Sequence, residues 1–212
     1  MPKKELERRS YSFEVRAEEK DGAKIITGRS VVYNSRTNLG PFDEVMDLGA
    51  LDGADLTDVR FLINHNTSMI PVARSRRNNG NSTMQLSVDQ QGLNIDWVKL
   101  DTENNSDSRS LYSAVQRGDI TGMSFMFSVD DEEWENLESD HPTRHIRKIG
   151  SIVEVSAVTF PAYESTEIYA RSKEALDNAR SALESARQQR AKSLESDIEL
   201  LKAKTRILGG LR

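Results

Sequence analysis

Ser124 and His65 are the two side chains of this chain whose local sequence best suits covalent chemistry. No cysteine is present, so a nucleophile must be oxygen or nitrogen. Ser124 stands in Thr121-Gly122-Met123-Ser124-Phe125. Gly122 would let a substrate backbone approach closely, and a strand would hold the serine rigidly. An alkyl hydroxyl needs a base within hydrogen-bond reach to attack a carbonyl at neutral pH. His65 closes the apolar run Val59, Phe61, Ile63, where a strand would hand over to a loop. Each residue alone also has an ordinary reading, as a polar strand surface and as a hydrogen-bonded structural histidine. The Gly-x-Ser-x-Gly elbow is absent, so an α/β-hydrolase is not supported. His141 and His145 have the i, i+4 spacing of a metal pair, but Pro142 between them argues against the helix that would align them. No cofactor or metal is expected.

The elements that must position these groups are mostly β. Tyr11, Phe13, Val15 and Ala17 alternate with polar residues, Asp21-Gly22 supplies a turn, and residues 25–33 are again β-rich, which predicts a hairpin. Further strands are predicted at 59–64, 83–88 and 93–98. The cap-rich stretch 104–108 opens a short helix carrying Leu111, Tyr112 and Val115 on one face, and Gly118 ends it. Residues 120–129 then alternate, with Met123, Phe125 and Phe127 on one face and Gly122, Ser124 and Met126 on the other. The acidic run 130–140 shows neither period and reads as a solvated loop. Residues 152–160 form another strand in which Glu154 is the charged exception, facing the same way as Ser156, until Pro161 stops it.

After Thr166 the composition turns to Ala, Glu, Arg, Lys and Leu, without Pro or with Gly only from Gly209. A long helix is expected there. Leu176, Ala179, Leu183 and Ala186 follow one heptad seam, while Ala191, Leu194, Ile198, Leu201 and Leu208 follow a second, and the seam slips near residues 187–190. The division expected is a domain over 1–166 and a helical tail over 167–212. No run approaches the ~20 apolar residues that span a bilayer, and the charged start lacks a secretory apolar segment, so no membrane partner and a cytoplasmic setting are expected. A net charge of -5 without a basic patch argues against direct nucleic-acid binding.

Three segments, Leu62-Ile63-Asn64-His65, Arg117-Gly118-Asp119-Ile120-Thr121-Gly122-Met123-Ser124-Phe125 and Val153-Glu154-Val155-Ser156-Ala157-Val158-Thr159-Phe160-Pro161-Ala162, resemble in order and spacing the three blocks of the phage prohead protease family. The resemblance extends to the N-terminal hairpin and to Asp47-Leu48-Gly49-Ala50-Leu51, and covers about residues 8–166. One departure is Pro71-Val72-Ala73-Arg74, where relatives tend to carry a Gly.

The resemblance implies an α+β fold, mostly β with helices: a β-barrel with surrounding helices as in herpesvirus capsid-maturation proteases, followed here by the long C-terminal helix. It implies a serine endopeptidase with Ser124 as nucleophile, His65 as base and Glu154 orienting the histidine. The herpesvirus enzymes place a second histidine in that third role, which keeps His141 and His145 as alternatives. The implied substrate is the scaffolding segment of the major capsid protein, cut inside the immature capsid in the host cytoplasm, with self-cleavage afterwards. The tail would then dock on scaffold helices, self-associate, or be partly disordered. The competing class is a non-catalytic scaffold or assembly protein, in which the tail matters and Ser124 and His65 do not.

Overall fold

The computed structural model describes residues 6–11, 15–159 and 173–209. Phe13, Phe160, Pro161 and the boundary at Thr166 lie outside them, as do the side chains of Leu176 and Leu208. In chain order the elements are β1 (Glu7–Tyr11), β2 (Val15–Lys20), β3 (Ala23–Val32), β4 (Arg36–Asn38), β5 (Asp43–Met46), β6 (Asp58–Ile63) and β7 (Ala73–Arg76). They continue with β8 (Met84–Asp89), β9 (Gly92–Leu100), α1 (Ser106–Arg117), β10 (Gly122–Glu135), β11 (Thr143–Val158) and α2 (Lys173–Gly209).

Local chemistry accounts for most of these boundaries. Asp21 and Gly22 both take positive φ, 51° and 75°, the geometry that matches the twist of a two-residue hairpin between β2 and β3. Asn105 caps α1 by accepting hydrogen bonds from the amides of Asp107 (2.9 Å) and Ser108 (3.1 Å). Gly118, at φ 76°, ends the helix in the left-handed conformation that a Cβ disfavours.

The strands form two sheets rather than the closed barrel expected. One runs β2-β3-β9-β8, entirely antiparallel. The other has seven strands in the order β1-β10-β11-β5-β4, with β6 also on β11 and β7 beyond it. β11 is long enough to pair in parallel with β5 along Thr143 to Ile146 and with β6 along Glu154 to Ala157. One apolar core joins the sheets: Phe61, Phe125, Phe127 and Val155 from the seven-stranded sheet, Ile26, Leu93, Ile95 and Val98 from the four-stranded one, and Leu111, Tyr112 and Val115 from α1. Burying such side chains supplies the main drive for the sheets to stack, roughly 1.5–3 kcal/mol each.

The acidic run is not a loop. Residues 130–135 continue β10, and only 136–142 connect it to β11. Cross-strand charge pairing makes this possible: Glu132 accepts from Arg144 Nε at 2.8 Å, and Glu133 pairs with Arg147. Register shifts at four places between Met126 and Glu132 erase the period of two that would have marked a strand.

The start of α2 packs on the seven-stranded sheet. Ala179 and Leu183 are buried with Leu39 and Phe42, against Trp134 and Leu137. Arg187 donates to the carbonyls of Leu137 (3.2 Å) and Ser139 (2.8 Å). Beyond it Leu194, Ile198 and Leu201 are exposed. The helix leaves the domain where the heptad seam slips. Among the described residues no helix is long and apolar enough to cross a membrane.

On its core-side face, the β1 end of the large sheet carries a buried ionic cluster. Arg9, Glu44 and Arg144 are almost fully enclosed. Arg9 Nη2 donates to Glu44 (2.7 Å) and to Glu7 (2.6 Å), and Arg144 Nη1 donates to Glu7 (2.7 Å) and Glu44 (3.1 Å). Burial alone would push the Glu7 carboxyl up, but the hydrogen bond from Arg144 and the charges of Arg9 and Arg144 outweigh it and hold the value at about 2, against an ordinary 4.5. A folded value below the unfolded one means that ionised Glu7 stabilises the fold above pH 4.5 and that this contribution fades as pH falls towards about 2. Urea midpoints of the wild type and of Glu7→Gln should therefore lie apart at neutral pH and converge across that acid window. A constant separation would show that Glu7 does not titrate with the fold.

Candidate active site

β10 and β11 carry the site on the sheet face turned away from the core. Their antiparallel register sets Ser124 opposite Ser156 and Met126 opposite Glu154, so all four side chains share one face. Met123, Phe125 and Phe127 fill the other face, as the alternation predicts. On the far side of β11, β6 lies parallel with Leu62 against Ser156 and Ile63 against Ala157. The strand then ends, and the next residue but one is His65.

A left-handed turn delivers the histidine. Asn64 and His65 take φ of 50° and 56°, a region that asparagine tolerates and that most other residues avoid. Asn64 is clamped to the end of β11: its amide donates to the carbonyl of Ala157 (2.9 Å), its Oδ1 accepts from the amide of Thr159 (2.9 Å), and its Nδ2 donates to Thr159 Oγ1 (3.0 Å). The His65 amide donates to Ser156 Oγ (3.2 Å) and Ser156 Oγ donates to Glu154 Oε2 (2.7 Å). His65 Nδ1 lies 2.5 Å from Glu154 Oε1. Glu154 thus spends one oxygen on the imidazole and the other on Ser156. With Nδ1 donating to the carboxylate, the neutral ring carries its lone pair on Nε2, the form a general base requires.

His65 and Glu154 are therefore brought together, and the remaining candidates go elsewhere. His141 Nε2 pairs with Asp43 Oδ1 (2.8 Å) and His145 Nδ1 with Asp47 Oδ1 (2.8 Å), beside β5. No group of three or more His, Asp or Glu side chains placed to hold a metal ion occurs among the described residues. Ser124 shares the face of Glu154 and Ser156, yet among the described residues no hydrogen bond joins it to His65. Its hydroxyl donates to the carbonyl oxygen of Arg9 (2.7 Å) and accepts from Ser10 Oγ (2.8 Å). Both partners belong to β1, which lies antiparallel on β10 with Ser10 opposite Ser124.

Two contributors escaped the sequence reading. Ser156 links carboxylate and histidine backbone, and its signal was its position two residues after Glu154 on the same strand face. Asn64 sets the turn, signalled only by an asparagine at a strand end.

Glu154 and the His65 ring are nearly enclosed, with side-chain exposures of 4% and 15%. A carboxylate buried this far needs a donor on each oxygen. It has both, so the ring is held in one orientation.

No curated protein and no solved structure matches the chain. The family model described as Caudovirus prohead serine protease matches residues 11–180. That span takes in His65, Ser124, Glu154 and Ser156, and most of the chain. The chain belongs to the caudovirus prohead serine proteases.

Proposed function

We propose that this protein is an active serine endopeptidase that cuts the scaffolding segment of the major capsid protein, and itself, during prohead maturation. The observation that carries the reading is the His65–Glu154 contact at 2.5 Å, held on the strand face that also bears Ser124, in a chain of this family.

In this reading Ser124 Oγ attacks the peptide carbonyl while His65 Nε2 takes its proton, then returns it to the leaving amine. Glu154 fixes the tautomer and stabilises the imidazolium formed during attack. His65 must first replace Arg9 as the acceptor of the Ser124 proton, so the described arrangement is a resting one.

Co-expression with a scaffold-bearing capsid protein, read by intact mass, tests the assignment. Ser124→Ala should keep the fold and lose on the order of 10⁶ in rate, and His65→Ala should be as severe. Glu154→Gln should cost roughly 10²- to 10⁴-fold, with His141→Ala and His145→Ala costing little. An uncut capsid protein with the wild type would favour a non-catalytic assembly role. Severe losses at His141 or His145 with a mild one at Glu154 would transfer the orienting role to a histidine.

The tail from residue 167 serves packaging in this proposal, docking on helices of the scaffold. Support comes from the exposed Leu194, Ile198 and Leu201, which follow a helical stripe beyond the docked Ala179 and Leu183. An isolated helical arm gains little stability without a partner for that stripe. Deleting residues 190–212 should leave the melting temperature and peptide cleavage unchanged while incorporation into proheads falls sharply. Equal incorporation of the truncated chain would remove the tail from packaging.

A further inference from the structure

β1 lies where a substrate strand would lie. Peptides commonly bind proteins by adding an extended strand to a sheet edge, and the edge in question is β10, which carries Ser124. Five consecutive pairs, from Glu7 opposite Phe127 to Tyr11 opposite Met123, align β1 antiparallel along it. Ser124 is completely buried, at 0% exposure, and both hydrogen bonds of its hydroxyl go to β1, one to the Arg9 carbonyl and one from Ser10 Oγ. The Ser124 hydroxyl oxygen is 2.7 Å from the carbonyl oxygen of Arg9. That carbonyl belongs to the peptide bond joining Arg9 to Ser10; attack requires the hydroxyl to turn its proton from this oxygen to His65 and to bring its own oxygen to about 3–3.5 Å from the carbonyl carbon.

The side chain before that bond is also received. Arg9 points to the opposite face, where Glu44 accepts two of its hydrogen bonds and its guanidinium lies 5.6 Å from the centre of the Phe127 ring. Such a pocket suits a planar cation. Residues 7–10 also precede the span matched to the family, which begins at residue 11.

We infer that Arg9–Ser10 is the protein's own first cleavage site, held at Ser124 by β1 and cut within the same molecule to open the substrate edge of β10. This rests on the protease reading above. The Ser124 proton passes to His65 as Oγ bonds to the Arg9 carbonyl carbon, and the proton then goes to the Ser10 nitrogen as the C–N bond breaks. Water hydrolyses the resulting ester, releasing residues 1–9 with a new carboxylate on Arg9, regenerating Ser124 and leaving a chain that begins at Ser10. Glu44 then faces a vacated position suited to Arg or Lys before the cut bond of later substrates.

The test incubates the full chain over about a hundredfold range of concentration, reading intact mass and N-terminal sequence. Scaffold-bearing capsid protein is assayed in parallel. The expected result is a species starting at Ser10, formed with a first-order rate that does not change with concentration and absent from Ser124→Ala. If capsid protein is cut while Arg9–Ser10 stays intact, the inference fails and the protease reading stands. A rate that rises with concentration, or cleavage at another bond only, overturns cleavage in place. If neither the chain nor the capsid protein is cut, both readings fall.

Discussion

The parallel register of β6 on β11 is the constraint on which the site depends. Pairing Ile63 with Ala157 ends β6 one residue beyond Ser156, which leaves the chain just enough length to turn back over the outer face of the sheet. The left-handed Asn64 and His65 make that turn, and the Asn64 clamp on Thr159 prevents it from relaxing into a longer loop. A slip of one residue would put every β6 side chain on the other face. Phe61 would leave the core and the histidine would miss Glu154. The packing of Phe61 against Val155 and Phe125 therefore enforces the same geometry that the chemistry needs.

The two faces of the β1 end of the sheet divide their polar groups by kind. One face holds hydroxyls, a carboxylate and an imidazole, each satisfied by a short chain of hydrogen bonds. The other holds the charges of Arg9, Glu44, Arg144 and Glu7. Enclosed ion pairs contribute little net stability, because desolvation offsets most of their attraction. Their effect is selective: an edge strand without a cation at the Arg9 position would leave Glu44 buried with less than its full set of donors, a cost of several kcal/mol. By this argument the cluster favours a cation at the Arg9 position of the strand on β10.

Legibility followed the range of the interactions involved. The α1 caps at Asn105 and Gly118, the hairpin at Asp21-Gly22 and the alternation around Ser124 are written within a few neighbouring residues, and each matches the structure. The strand continuing through residues 130–135 is not legible, because bulges break its period and its charges are balanced only by Arg144 and Arg147 on the partner strand. Burial of Arg144 with Glu44 is equally hidden, since their 100-residue separation is closed by the parallel β5–β11 pairing. At the candidate site, residues 65, 124 and 154 are singled out by the three resembling blocks, and of them the structure joins His65 to Glu154. The cover over Ser124 is not legible, because Ser10 and Ser124 are 114 residues apart and neither residue's surroundings announce the other.

Placing the proposed nucleophile, Ser124, on a strand next to a sheet edge raises a problem of its own. If β1 were absent, β10 would present a row of unpaired amides and carbonyls beside Ser124, together with the buried surface of Phe127 and Glu44. Open edges of this kind pair readily with any extended chain. That would mean indiscriminate association. A bound strand satisfies those groups, and its hold combines five backbone pairings with the charges of Glu7 and Arg9. In the cleavage proposed above, the edge that accepts substrate is the same edge that β1 closes in the free protein, so occupancy of β10 would couple protection of an open sheet edge to access to Ser124.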